Sequence, residues 1–289
     1  MNVLITGAGG QLGVALQSSA PAGVAVIAPG HGQLDITDPG AVARLLERHH
    51  PDLIVNAAAY TAVDRAEQDE AAARRVNADG AEIIAAAAQR AGARLIHVST
   101  DFVFDGTSST PYAPEAQTNP VNVYGRTKRA GEERVLASLP ERALVLRTAW
   151  VYAARGRNFL TTMLRLMTEK KAVDVVADQV GTPTSSRSLA EVIWRIAERP
   201  DVRGIQHWTD AGVASWYDFA MAIAEDAGQI GLIPTSVTVR PIRTCDYPSR
   251  TSRPSYSVLD KTALYAALGI APVHWRVRLR AVLRELANA

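Results

Sequence analysis

Apolar positions along the chain fall into short runs separated by longer stretches of helical period. "MNVLITG" reads as a buried strand and "GQLGVALQSSA" as the helix after it. "VAVIAPG" is strand again, and "DPGAVARLLERHH" is a helix opening on Asp38 as N-cap and Pro39 in its first turn. "DLIVNAA" leads into the helical "DEAAARRVNADGAEIIAAAAQRAG", "RLIHVST" into "VYGRTKRAGEERVLASL", and "ALVLRTAWVY" reads as one further strand. Alternation this regular predicts right-handed crossovers and a parallel sheet with helices on both faces.

Past residue 152 the pattern loosens. "GRNFLTTMLRLMTEK" and "SLAEVIWRIAE" are helices around the extended, turn-rich "AVDVVADQVGTPTSS", and "GIQHWTD" looks like one more strand of the sheet. "SWYDFAMAIAEDAG" is a helix and "TSVTVRPIRT" a strand. "TCDYPSRTSRPSYSVLD" is a loop, and "APVHWRVRLRAVLREL" an amphipathic helix whose arginines form a solvated face. The expected fold is α/β, a Rossmann-like doubly wound parallel sheet with a smaller C-terminal α+β substrate-binding domain. Residues 1–152 plus about 186–210 would form the dinucleotide-binding part, and about 153–185 plus 211–289 the other.

Composition narrows the choice of partner. The 289 residues carry 31 Lys+Arg against 29 Asp+Glu, a balance that argues against a dedicated nucleic-acid binder. The single Cys245 excludes an internal disulfide and fits a reducing compartment. No apolar run reaches the roughly 18–20 residues of a membrane span. The uncharged, glycine-rich start is unlike a secretion signal. A cytoplasmic protein without membrane attachment is expected.

Chemistry concentrates at the strand ends. "TGAGGQLG" puts Gly7, Gly10 and Gly13 at the first strand-to-helix turn. Glycines there allow a tight turn, backbone approach to a pyrophosphate and close helix–strand packing, while the helix N-terminus offers oriented N–H groups. Small residues of "VNAAAYTAVD", Ala57, Ala58 and Ala59 among them, would let the cofactor lie close. After the second strand, "IAPGHGQLD" has neither an acid nor an arginine at the position that separates NADH from NADPH. His31 favours a phosphate, so NADPH is expected with NADH still open, and Asp35 is expected near the adenine.

"STDFVFDG" and "YGRTK" supply the rest. Tyr124 and Lys128 are four apart at a helix start and project from one face. An ammonium beside a phenol is expected to lower the phenol's ordinary pKa of roughly 10. Thr100, with Ser99 at the end of the preceding strand, can hold a carbonyl oxygen while Tyr124 donates a proton and a nicotinamide delivers hydride.

These stretches, with "LDITD", "NAAAYTAVDRAE", "NPVNVYGRTKRAGE", "LRTAWVY", "NFLTTML", "VADQVGTPT" and "SVLD", resemble the extended short-chain dehydrogenase/reductases over nearly the full length, and within them the dTDP-4-dehydrorhamnose reductases. The resemblance implies NAD(P)H-dependent reduction of the 4-keto group of a dTDP-4-dehydro-6-deoxy sugar. It implies a catalytic trio of Thr100, Tyr124 and Lys128. The cofactor set becomes Gly7, Gly10, Gln11, Leu12, Gly13, His31, Asp35, Ile36, Ala57, Ala58, Ala59, Tyr60 and Thr61, together with Tyr124 and Lys128. The sugar-nucleotide set becomes Thr100, Asp101, Trp150, Asn158, Gln179, Thr182, Pro183, Thr184 and Arg253, with Asp178 as a weaker candidate. Related dehydratases carry Asp–Glu after the Thr; Phe102 stands in place of the Glu here, which argues against elimination chemistry. Some relatives hold magnesium at a dimer contact through C-terminal carboxylates. Glu285 is the only acid in that last stretch, so no metal and a monomer or weak homodimer are expected. Two alternatives stay open: a reductase of another dTDP-4-keto-6-deoxy sugar, and a non-catalytic, cofactor-binding regulatory subunit of the same fold.

Overall fold

Val3, Leu4 and Ile5 are buried side by side, so both faces of their strand need cover, and a parallel sheet between two helical layers provides it. The computed structural model describes residues 1–248 and 251–288; Ser249 and Arg250, within the Pro/Ser/Arg-rich loop, lie outside the described residues. The first half runs β1 (Asn2–Thr6), α1 (Gln11–Ser18), β2 (Ala25–Ile27), α2 (Pro39–His49), β3 (Leu53–Asn56), α3 (Val63–Ala66) and α4 (Glu70–Arg74). It continues with α5 (Gly80–Ala91), β4 (Arg94–Thr100), α6 (Val123–Ser138) and β5 (Ala143–Thr148). Asp38 caps α2 as expected, its Oδ1 accepting from the N–H groups of Gly40 and Ala41 at 2.8 and 3.0 Å.

Two departures from the sequence pattern matter for the site. The long helical stretch before β4 is interrupted by a π turn, Arg75–Asp79. This turn directs the Asn77 amide inward, where it accepts from the Tyr60 N–H (2.8 Å) and donates to the Tyr60 carbonyl and the Thr127 hydroxyl (3.1 Å each). The second departure is that "ALVLRTAWVY" is not one strand. β5 stops at Thr148, Trp150 takes a left-handed backbone (φ 48°), and β6 (Val151–Tyr152) leaves in a new direction. A period-two apolar run cannot reveal such a break, because the break is made by one residue's dihedral.

Then come α7 (Phe159–Glu169), β7 (Ala172–Val176), β8 (Val180–Gly181), β9 (Thr184–Ser185), α8 (Ser186–Ala197), β10 (Gly204–His207), β11 (Ala214–Ser215), α9 (Trp216–Gln229) and β12 (Thr238–Ile242). The chain ends in α10 (Thr262–Leu268), a stretch to which the apolar pattern assigned no element, and α11 (Trp275–Ala287). The main sheet has the order β10-β5-β4-β3-β1-β2, parallel throughout. Residues of one parity (Val3, Ile5, Val55, Ile96, Leu144, Leu146) pack on α1 and α8, where α10 adds Leu264. The other parity (Leu4, Ile54, Leu95, Val145) packs on α2, α5 and α6. A separate core joins α7, α9 and α11 through Leu160, Met163, Phe219, Ile223 and Leu279, beside the parallel pair β7–β12. Full burial of each such side chain contributes roughly 1.5–3 kcal/mol.

Candidate active site

Strand order reverses between β1 and β3, so their carboxyl ends diverge and leave a crevice. Gly7 occupies that point with φ 69°, and a Cβ there would lie 2.7 Å from the backbone of Ala57 and Ala58. At Gly13 a Cβ would run into the Gly7 carbonyl, so α1 can sit this close only without one. Gly10 caps α1 without any side-chain bond, which leaves first-turn N–H groups of α1 free for a ligand. A Cβ on Gly9 would meet nothing within 4 Å. The open space beyond is a cavity of about 1390 Å³ along the strand ends, large enough for a dinucleotide and part of a second nucleotide.

Most of the expected residues border this one cavity. They include the cradle from Gly7 to Gly13, His31, Asp35, Ile36, Ala57 to Thr61, Thr100, Asp101, Tyr124, Lys128, Trp150, Gln179 and Arg253. Asp35 accepts from the N–H and hydroxyl of Thr37 (2.9 and 2.8 Å), and these bonds hold its carboxyl below the usual range, with smaller help from His31 and Arg75. Arg75 escaped the sequence reading because the π turn, not a motif, delivers it to the cavity. Its guanidinium joins the His31 imidazole at this end of the cavity, which suits a 2′-phosphate.

Asn158, Thr182, Pro183 and Thr184 do not border this cavity. The Asn158 side chain is committed to capping α7, accepting from the Thr161 N–H (3.0 Å) and donating to the Ala153 carbonyl (2.9 Å). Thr182 donates to the Gly212 carbonyl and Thr184 to that of Thr182, both buried. Asp178 holds a turn, accepting from the Thr244 N–H at 2.8 Å.

Reactive groups meet where β4 ends. Thr100 donates to Asp101 Oδ1 (3.1 Å) and accepts from the Phe102 N–H (3.2 Å). Helix α6 starts at Asn122, whose side chain accepts from the Gly125 N–H (2.8 Å). Gly131 lets the helix lie against the π turn, because a Cβ there would run into the Asn77 carbonyl. Tyr124 meets the Phe102 ring edge-on, with centroids 5.6 Å apart. Lys128 Nζ donates to the Val98 carbonyl at 2.7 Å.

The expected lowering of the Tyr124 pKa does not hold in this site. Burial pushes the phenol up to about 12, Asp101 adds to the rise, and the Thr100 hydroxyl partly offsets it. Lys128 is not among the causes; its ammonium is engaged at Val98, and burial pushes it down to about 8 against the pull of Glu132. Tyr124 therefore keeps its proton at neutral pH. Asp101 is fully buried and pushed up to about 6 by burial, with Ser257 and Thr100 pulling the other way. Its Oδ2 has no hydrogen-bond partner among the described residues.

At the far end, Trp150 stacks on Trp216 with centroids 3.5 Å apart and planes within 5°, flush against Gly181. Trp216 donates to Gln179 (3.2 Å), and Gln179 to Thr244 (3.1 Å). Arg253 is paired with Asp64 at 2.9 Å. Trp216, Arg155 and Arg157 line the cavity but carried no spacing signal, since separate segments bring them together.

The fold is of the Rossmann type, and its relatives make it one of the nicotinamide-dependent oxidoreductases. The RmlD substrate binding domain model matches residues 1–288, and the chain belongs to that family. It is 43% identical to the dTDP-4-dehydrorhamnose reductase of Burkholderia thailandensis over 298 residues, covering all of both chains. It is equally 43% identical to a probable dTDP-4,6-dihydroxy-2-methyloxan-3-one 4-ketoreductase of Streptomyces antibioticus, covering 100% of this chain and 97% of that one. The crystal structure of dTDP-4-dehydrorhamnose reductase from Bacillus anthracis in complex with NADP superimposes with a TM-score of 0.92 at 33% identity, covering 98% of this chain and 99% of that one. No helix among the described residues is long and apolar enough to cross a membrane.

Proposed function

We propose that the chain uses NADPH to reduce the 4-keto group of dTDP-4-dehydrorhamnose, giving dTDP-L-rhamnose. The observation carrying this reading is that Thr100, Tyr124 and Lys128 border the same cavity as the glycine cradle. The bound nicotinamide supplies hydride. Thr100 holds the carbonyl oxygen, and Tyr124 passes its proton to that oxygen as negative charge builds there. Lys128 then stabilises the phenolate left behind, which returns to phenol by taking a proton from solvent. His31 and Arg75 favour a 2′-phosphate on the cofactor, and the open helix N-terminus accepts its pyrophosphate. The segments of about 153–185 and 211–289 are proposed as the sugar-nucleotide half, which the separate core of α7, α9 and α11 supports.

A second reading is a reductase of another dTDP-4-keto sugar, favoured by the equal identity to the Streptomyces ketoreductase. Loss of NADPH absorbance with each keto sugar separates them. The first reading expects kcat/KM for dTDP-4-dehydrorhamnose higher by about 100-fold or more, because a site built to pair a sugar hydroxyl rejects an analogue that lacks it. The opposite ratio selects the second reading. NADPH binding without turnover of either sugar would mark a regulatory subunit.

A further inference from the structure

One turn beyond Lys128 on α6 lies an ion pair that the reaction above does not use. Glu132 and Arg147 are 3% and 2% exposed. Arg147 grips the carboxylate with two nitrogens, Nη2 to Oε2 at 2.7 Å and Nε to Oε1 at 3.0 Å, and Ser99 donates to the same Oε1. The remaining nitrogen of Arg147 reaches the Pro114 carbonyl (3.2 Å) and His207 (3.4 Å), and the guanidinium lies over the Phe104 ring. Residues of β4, β5, β10 and α6 are thus tied to one carboxylate.

Stability alone does not account for such a pair, since a buried ion pair is often no better than apolar side chains of the same volume. Its placement does. Tyr124, Lys128 and Glu132 recur every four residues on one face of α6. Among the titratable groups around Lys128 are Tyr124 and Glu132, one turn to either side on α6, and His97 of β4, with Arg147 of β5 behind Glu132. His97 is kept neutral by burial and by the Lys128 charge, and Tyr124 is a neutral phenol. Glu132 is the group that opposes the burial of the ammonium.

We infer that Glu132, fixed by Arg147 and Ser99, is a positioning residue for Lys128: it supplies the buried counter-charge that keeps the ammonium beside Tyr124 through turnover. The inference rests on the role proposed above for Lys128. Deprotonating Lys128 removes activity as pH rises. Taking away its anion lets the proton leave at lower pH, so the alkaline limb of the rate profile moves acidward.

The test is kcat and KM against pH, with melting temperature, for the wild type, Lys128→Met, Glu132→Gln and the double variant Glu132→Gln/Arg147→Met. Glu132→Gln is expected to lose about tenfold or more in kcat at neutral pH, with KM for the sugar nucleotide little changed and the alkaline limb displaced by about one pH unit. The double variant, which leaves no unpaired buried charge, is expected to recover most of the melting temperature while keeping the displaced limb. It decides the matter if Glu132→Gln alone does not fold. Recovery of the wild-type profile along with the melting temperature would overturn the inference and leave the pair a packing feature. An unmoved limb in a folded Glu132→Gln would do the same. Wild-type turnover in Lys128→Met would overturn the reading of Lys128 itself, and this inference with it.

Discussion

The two ends of the cavity are built on opposite principles. At the cradle the walls are backbone and small side chains, and the groups offered to a ligand are N–H donors fixed by the start of α1. At the end proposed for the sugar the walls include large side chains from the β5–β6 link, the turn before β8 and the start of α9, already bonded to one another and to the loop after β12: Trp150 on Trp216, Trp216 to Gln179, Gln179 to Thr244. A backbone cradle is formed before the ligand arrives. A side-chain wall must exchange its own contacts for those of a sugar, so it can be retuned without disturbing the fold. That difference fits one scaffold serving several keto sugars.

Between the two ends sits Tyr124, and the largest effect is expected there. Tyr124→Phe removes only the phenolic oxygen and should cost on the order of 10²–10⁴-fold in kcat, with NADPH affinity nearly intact. Single-turnover hydride transfer beside cofactor titration measures both; activity within about threefold of wild type would remove Tyr124 from the chemistry.

Gly10→Asp sharpens the contrast at the cradle. Gly10 is in extended backbone (φ −78°) open to an Asp, whose Cβ would lie 3.2 Å from the Gly7 carbonyl, so the fold should persist with a small shift, and Asp is a good N-cap. The carboxylate would take the place of the pyrophosphate, and NADPH affinity should fall by about 100-fold or more. Fluorescence titration with an unchanged Kd would move the cradle elsewhere.

Asp101→Asn should be more stable than the wild type at neutral pH. The folded-state pKa of about 6 lies above the ordinary 3.8. Folding therefore favours the protonated acid, and that stability is present below pH ~4 and lost as pH rises through 6. The variant escapes the loss, gaining on the order of 2 kcal/mol at pH 8 and nothing at pH 4. Urea melts at several pH values check this; an equal gain at every pH would trace the effect to packing instead.

Trp150→Ala tests the sugar end and should have the smallest consequence for the reaction, raising KM for the sugar nucleotide about tenfold with KM for NADPH unaltered. If melting temperature falls and neither KM moves, the indole only props up Trp216.

The same contrast governs what the sequence could reveal. Gly7, Gly10 and Gly13 are local requirements of one turn, and Tyr124 and Lys128 of one helix face, so spacing exposed them along with the alternating strands and helices. The break at Trp150 depends on a single dihedral, and the π turn that delivers Arg75 and Asn77 depends on contacts with Tyr60 and Thr127. Thr182 and Thr184 sit in "VADQVGTPT", one of the stretches that carried the family resemblance, yet their hydroxyls are spent on backbone carbonyls. Tertiary burial also reversed the expected direction for Tyr124, because spacing placed an ammonium nearby without showing that Val98 engages it.

The central claim is that hydride passes from NADPH to the keto carbon of a dTDP-4-keto sugar held beside Tyr124. Incubating the protein with NADPH deuterated at the transferring position and dTDP-4-dehydrorhamnose, then analysing the sugar by NMR and mass spectrometry, tests it directly. The account predicts dTDP-L-rhamnose carrying a single deuterium at C4. NADPH consumed with no label in the sugar, or label at any other carbon, would contradict it.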